Sequence, residues 1–240
     1  MKFKVSKQIL FKSLVHLQGI VDKKNSLQIL SNILIEAKNN SLTLSSTDMD
    51  ISIIEKISCE VLEDGSTTIN SQILYDIVRK LDDDSQIEII SNNGKLLTLR
   101  CDGSRFSLAC LPKEDFPIID LTNEGISIKI NSQNLFKLID KTKFAISNEE
   151  TRYFLNGLYL NIHNEDKNTH LTLVGTDGHR LAKSGHNIEN ISELISGVIV
   201  PKKTIYELSK LLSELDQDIE INISSTKIVF YIDNLIFISK

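Results

Sequence analysis

Stretches that alternate apolar and polar residues give way, four times along this chain, to a stretch whose apolar residues fall three and four apart. The four passages are VSKQILFKSL (5–14), INSQILYDIV (69–78), INSQNLFKLI (130–139) and VPKKTIYELS (200–209). Their starts are 64, 61 and 70 residues apart. In each, a β-branched residue closes an apolar run, one to three polar residues follow, and a helical stretch begins. Period two marks a strand with one dry face, and a period near 3.6 marks an amphipathic helix. Recurrence at near-constant spacing marks a unit of architecture. Residues that the pattern repeats are therefore candidates for packing before they are candidates for chemistry.

The copies group in pairs. Residues 3–14 match 128–139 at an offset of 125, and LTLSSTDMDI (42–51) matches LTLVGTDGHRL (171–181) at an offset of 129. Two copies of one domain are expected, 1–122 and 126–240, each made of two halves. The boundary falls in the polar stretch 122–125. Each half reads as strand, helix, then several strands. In the first, 2–5 alternates as a strand and leads into a helix around 7–17, with Ile9, Leu10, Leu14 and Leu17 on its apolar stripe. Ser6, Asn70 and Asn131 stand where a helix N-cap would, and Pro201 suits a first helical turn. Strands follow at 30–37, 41–45 and 51–61; AKNNS (37–41) and NNGK (92–95) carry hairpin signals. One helix per half is too little for parallel βαβ crossovers, so antiparallel sheets are expected. The fold class is α+β: two tandem domains, each of two βαβββ halves, with sheets outside and helices on one face.

Composition changes this picture little. The chain has 240 residues, 41% of them hydrophobic and 25% charged, and no apolar run approaches the ~18 residues of a membrane span. The opening MKFKVSKQ is too polar for a secretory leader, which makes a cytoplasmic location the expectation. Cys59, Cys101 and Cys110 are odd in number, lack metal spacing and read as small apolar fillers. Charge distribution changes more. Net charge is −5, yet the four helical stretches 7–17, 71–81, 132–143 and 201–212 together carry +7. An acidic protein that gathers its positive charge on one recurring element can present a basic surface to a polyanion.

Two strings carry candidate chemistry. TDGHR (176–180) places Asp177, His179 and Arg180 together after a strand, the composition of many catalytic loops. Thr47-Asp48 holds the same place in the first domain, which argues that the Thr-Asp pair closes a turn. Gly178, His179 and Arg180 have no counterpart in Met49-Asp50-Ile51, so the second copy is specialised. RYFLNGL (152–158) puts Tyr153 and Phe154 at a strand entrance, either as buried anchors or as an exposed stacking surface. His16, His163, His170 and His186 form no i, i+4 metal pair, and no metal site or cofactor is expected. The run Asp82-Asp83-Asp84 reads as a solvated turn.

With the repeat, the basic helices and these strings in hand, the sequence resembles the bacterial DNA sliding clamp family, the beta subunit of the DNA polymerase III holoenzyme. The likeness spans essentially the whole chain. It rests on the opening MKFKV, SRFSLACLPKEDFP (104–117), RYFLNG (152–157), TDGHRLA (176–182) and VIVPKK (198–203). The resemblance implies a non-catalytic processivity factor: a head-to-tail dimeric ring around duplex DNA, helices lining the hole. It also implies docking of the replicative polymerase, the clamp loader and repair proteins through short linear peptides. Family subunits have three such domains; this chain has two, and the expectation is a truncated product that could not close the usual ring by itself.

Residue by residue, the resemblance places DNA contacts at Lys24, Arg79, Glu149, Tyr153, Phe154, Lys202 and Lys203. Phe154 stands where the family often has Tyr, and Glu149 where it commonly has Gln. One wall of the peptide pocket falls on Leu155, Thr176, Gly178, His179, Arg180 and Leu181. The seam with the partner subunit falls on Arg105, Phe106 and Leu108. Two other readings remain at this point: a small hydrolase or phosphotransferase using Asp177, His179 and Arg180, which leaves the fourfold repeat unexplained, and a plain interaction scaffold with no DNA role.

Overall fold

The computed structural model describes residues 1–21, 27–92, 94–121, 125–149, 151–165, 168–189 and 197–240. The chain separates into two compact units, Met1–Leu121 with Asn234–Ile236, and Thr122–Asp233 with Phe237–Lys240. The first unit runs β1 (Lys2–Ser6), α1 (Lys7–Gln18), β2 (Asn32–Lys38), β3 (Ser41–Thr47), β4 (Ile51–Ser58), β5 (Glu60–Glu63), β6 (Gly65–Asn70), α2 (Ser71–Arg79), β7 (Gln86–Asn92), β8 (Leu96–Cys101) and β9 (Ser104–Leu111). The second runs β10 (Ile126–Asn131), α3 (Ser132–Asp140), β11 (Gly157–Glu165), β12 (Asn168–Thr176), β13 (Leu181–Ile188), β14 (Val198–Pro201), α4 (Lys202–Ser213), β15 (Asp218–Ile223), β16 (Ile228–Ile232) and β17 (Leu235–Ser239). This is an α+β architecture with the βαβββ order repeated four times; β5 is the one strand the repeat does not supply.

The halves are not self-contained. β1 pairs not with its own half but with β7, and β6 pairs with β2. The second unit does the same: β10 pairs with β15, and β14 with β11. All four pairings are antiparallel. Each half therefore lends its leading strand to the sheet of the other. The helix that follows is tied at the same joint. Its first N–H reaches the backbone carbonyl just before the receiving strands: Lys7 to Ser85 at 3.0 Å, Ser132 to Gln217 at 2.8 Å, Lys202 to Asn156 at 3.0 Å. Beside the start of α2 the joint instead carries a cavity of about 240 Å³ lined by Gln18, Val21, Ser31, Asn70, Ser71 and Gln72.

The repeated apolar positions are core. Leu10, Leu74, Leu135 and Ile205 hold one place in the repeat, and all are buried under the sheets. Leu14, Val78 and Ile139, one turn further on, are buried too. Truncating one such Leu to Ala costs about 2–5 kcal/mol through lost burial and the cavity left behind. Ile9, expected on the same stripe, is exposed, because only one residue of each adjacent pair can face the sheet. Asn39 and Asn40 take φ of 52° and 54°, the left-handed pair that closes the β2–β3 hairpin.

Several local expectations need correction. Asn70 and Asn131 cap their helices by accepting the N–H of Ile73 and Gln133, whereas the Ser6 side chain makes no capping bond. The expected strand 30–37 begins with a 3-10 turn, Gln28–Ser31. The expected strand 51–61 breaks at Cys59, whose N–H turns to the Asn40 carbonyl, and β5 leaves to pair with β1. Asp83 is not merely solvated: its carboxylate pairs with the ammonium of Lys7, which is only 5% exposed and also lies 4.9 Å from the Phe11 ring centre.

A second side-chain pair ties α1 to β4. His16 Nδ1 lies 3.0 Å from Glu55 Oε2, and the Glu55 side chain is 5% exposed. Glu55 shares the dry face of β4 with Ile53 and Ile57. Removing the partner of a buried acidic side chain leaves that side chain neither paired nor solvated. His16→Ala should therefore lower the first unit's stability by about 3 kcal/mol, read as a lower urea midpoint. Adding Glu55→Leu should recover most of that loss; equal losses in the single and double variants would show that the stranded carboxylate is not its cause.

Candidate functional site

The turn between β12 and β13 is built by its own side chains. Thr176 Oγ1 donates to the Arg180 carbonyl at 2.8 Å and accepts the Gly178 N–H at 3.1 Å. Asp177 Oδ1 accepts the N–H groups of His179 and Arg180 at 3.0 and 2.9 Å. The first unit repeats the scheme. Thr47 Oγ1 donates to the Ile51 carbonyl at 2.9 Å and accepts the Met49 N–H at 3.0 Å. Asp48 Oδ1 accepts Asp50 N–H at 3.1 Å and Ile51 N–H at 2.7 Å. Gly178 has φ of 88°, and Met49 holds 85° at the equivalent place. The Thr-Asp pair is thus turn chemistry in both units.

The same bonds settle what Asp177 can do. The backbone N–H groups of Arg180 and His179 hold its carboxyl below the usual Asp range, and the Arg180 side chain adds to this. Its second oxygen accepts Arg180 Nε at 3.0 Å. A carboxylate so engaged is a poor general base, which removes the centre of the hydrolase reading.

What differs between the turns is their load. Arg180 replaces Ile51 and Leu181 replaces Ser52, a buried residue bonded to Thr47 at 2.7 Å. Phe144 stands where the first unit has Gly19. The Arg180 guanidinium donates to the Phe144 carbonyl at 2.8 Å and lies 5.5 Å from the centre of its ring. Gly175 makes this approach possible, since a Cβ there would sit 2.6 Å from the Thr142 carbonyl oxygen. Leu155 is tied nearby through Ser147, whose N–H it accepts at 3.1 Å, and Arg152, to whose carbonyl it donates at 2.8 Å. Arg152 in turn lies 3.4 Å from where a Gly178 Cβ would be. Leu155 is half-buried; Leu181 and Phe144 are 66% and 56% exposed. The result is an apolar surface edged by cations. The sequence reading named Leu155, Arg180 and Leu181 but neither Phe144 nor Arg152. The signal for Phe144 was an aromatic just after α3 where the other copy has Gly.

The expected DNA contacts are placed separately. Lys24 lies outside the described residues. Tyr153 is 80% and Phe154 54% exposed, their rings edge-to-face at 5.6 Å, so the pair is a surface feature and not a core anchor. Glu149 faces Arg152 Nε at 3.1 Å. Lys202 is half-buried and bonded to Asn148, and Lys203 is exposed. Arg79 lies 3.4 Å from Asp76 and stacks near Tyr75. The net helix charge of +7 overstates what reaches solvent, because Lys7 is buried and its ammonium pairs with Asp83, outside the helical stretches.

Arg105 is exposed, and Phe106 and Leu108 are half-buried. All three sit on β9, which pairs with β8 throughout 104–109 but with β6 only at Cys110 and Leu111. Among the described residues, 104–109 leaves a second strand edge without a ladder partner. Burial raises the thiol pKa of all three cysteines, as apolar fillers require. No group of three or more His, Cys, Asp or Glu among the described residues could hold a metal ion, and no helix among them is long and apolar enough to cross a membrane.

Residues 1–120 match the family described as DNA polymerase III beta subunit, N-terminal domain, and residues 129–240 match its central domain. The chain is 40% identical over 233 residues to the beta sliding clamp of Caulobacter vibrioides, covering 96% of this chain and 62% of that protein. It is 37% identical over 244 residues to that of Rickettsia felis, covering 100% and 63%. Among solved structures, the sliding clamp from Bartonella birtlesii bound to griselimycin superposes with a TM-score of 0.95 at 40% identity, covering 100% of this chain and 64% of that one. The Bacillus subtilis sliding clamp gives 0.93 at 28% identity, with the same coverage. The chain thus spans a little under two thirds of the length of these relatives.

One prediction concerns Asp177. Its folded pKa is lowered, so the turn's stabilisation is complete above the ordinary value of 3.8 and is lost as pH falls through the lower folded value. Titration of its carboxyl carbon by NMR should give a midpoint below 3.8, and the His179 and Arg180 amides should lose protection at that same lower pH. A midpoint at or above the ordinary value would contradict the turn described above.

Proposed function

This chain belongs to the DNA polymerase III beta subunit family, the beta sliding clamps, and from that membership we propose that it contributes two domains, 1–122 and 126–240, to a DNA polymerase processivity factor. The whole subunit would form a head-to-tail homodimeric ring around duplex DNA in the cytoplasm. It would perform no catalysis. Its work is to keep partners on the template.

The observation that carries this reading is the second unit's turn. The two units build the turn with the same bonds, and only the second loads it with Arg180, Leu181 and Phe144. A surface of half-exposed apolar side chains edged by fixed guanidinium groups suits a short linear peptide carrying apolar anchors and an acidic group. The replicative polymerase, the clamp loader and repair proteins are the partners the family reading supplies. Leu155, Thr176, Gly178, His179, Arg180 and Leu181 would form one wall of that site.

DNA would be held by charge and not by sequence. Phosphate attraction is the same at every base pair, so it can retain a duplex without stopping on it. Exposed Lys12, Lys137, Lys141 and Lys203 supply dispersed positive charge on the helices. Tyr153 and Phe154 offer exposed rings, and Lys24, Arg79, Glu149 and Lys202 complete the proposed contacts. The bare edge of β9, with Arg105, Phe106 and Leu108, suits pairing with a second subunit, because an unpaired strand edge is a template for another chain.

Two experiments test this. In full-length protein, His179→Ala with Arg180→Ala should abolish processive primer extension while leaving no chemical turnover to lose; any multiple-turnover reaction abolished by the same pair would overturn the reading. The full-length protein loaded on DNA should stay on a closed circle and run off a linear fragment. Equal retention on both would count against a ring.

A further inference from the structure

Two histidines face each other across the β11–β12 hairpin. His163 and His170 are direct cross-strand partners, flanked by the pairs Ile162–Leu171 and Asn164–Thr169. Leu160, Ile162, Leu171 and Leu173 are buried, so the histidines project from the opposite, outer face of this sheet. Both are half-buried, and their rings stack with centroids 5.8 Å apart and planes inclined by 24°. His170 lies opposite Asn187 on β13 in the next register. Neither imidazole takes part in the turn, the aromatic pair or the β9 edge.

The geometry points to a divalent metal site: His163 and His170 together chelate a first-row transition ion that prefers imidazole, Cu²⁺ most tightly and Zn²⁺ or Ni²⁺ less so. Opposed residues of an antiparallel pair hold their Cβ atoms about 5 Å apart, a span that two imidazoles can bridge onto one ion by turning their side chains. The ladder fixes the backbone on both sides, so chelation orders only two short side chains. Asn187 and water complete the shell. Imidazole donors exclude Mg²⁺ and Ca²⁺, which take oxygen ligands, and order the remaining ions as given. Ligating imidazoles must be neutral, so binding weakens as pH falls through the ordinary histidine range near 6.5. With two protein donors the ion is exchangeable. This inference stands apart from the clamp reading, and either can fail alone.

The test is titration of untagged protein with Cu²⁺ at pH 7.5, followed by electron paramagnetic resonance and by paramagnetic broadening of backbone amide signals. One ion per chain with nitrogen hyperfine coupling is expected, and broadening should centre on His163, His170 and Asn187. His163→Phe and His170→Phe should each weaken binding at least tenfold with an unchanged circular dichroism spectrum, and His179→Ala should leave binding intact. Binding as tight in either Phe variant as in the parent, or broadening centred on the amino terminus or His179, would overturn the proposal.

Discussion

The reciprocal loan of β1, β6, β10 and β14 governs the rest of the structure. A leading strand leaves its own half, enters the other half's sheet, and carries its helix with it. The helix is then held at its first N–H by the carbonyl before the receiving strands, as Lys7, Ser132 and Lys202 show. Neither half can complete its sheet alone, because one strand of that sheet lies on the other half's segment. Each unit therefore folds as one body with two similar faces, and its two helices pack on one another over a shared core.

Several side-chain pairs reinforce that exchange. Lys7 on α1 reaches Asp83, just before β7, from the other half of the unit. Ser132 Oγ donates to the Leu215 carbonyl and accepts the Gln217 N–H, tying α3 to the approach of β15. These groups look like surface charge or ordinary helix starts in the sequence. In the fold they are ties, and their ammonium and hydroxyl groups are withdrawn from any outside partner. This is why the basic character of the helices is weaker than a count of lysines suggests.

Repetition also separates structure from function. Where both units keep a residue, as with Thr47-Asp48 and Thr176-Asp177, the bonds are the same and the role is to close a turn. Where they differ, the difference is an exposed side chain: Arg180 for Ile51, Leu181 for Ser52, Phe144 for Gly19. A shared scaffold can carry a docking surface in one unit and a plain turn in the other, because the turn's own hydrogen bonds do not depend on what those positions display.

The sequence by itself determined the four helices, the order of strands around them, the buried positions from Leu10 to Ile205, and the distinct character of 178–181. These follow from periodicity and from comparing one half of the chain with the other, and local spacing records both. Tertiary structure alone decided which strand each half gives away, since pairing partners lie 28 to 97 residues apart and alternation says nothing of them. It also decided that Tyr153 and Phe154 are exposed, that Lys7 and Glu55 are buried with partners, and that Phe144 and Arg152 complete the surface around Arg180. Each of those facts rests on which segments meet, and a one-dimensional pattern carries no distance between segments.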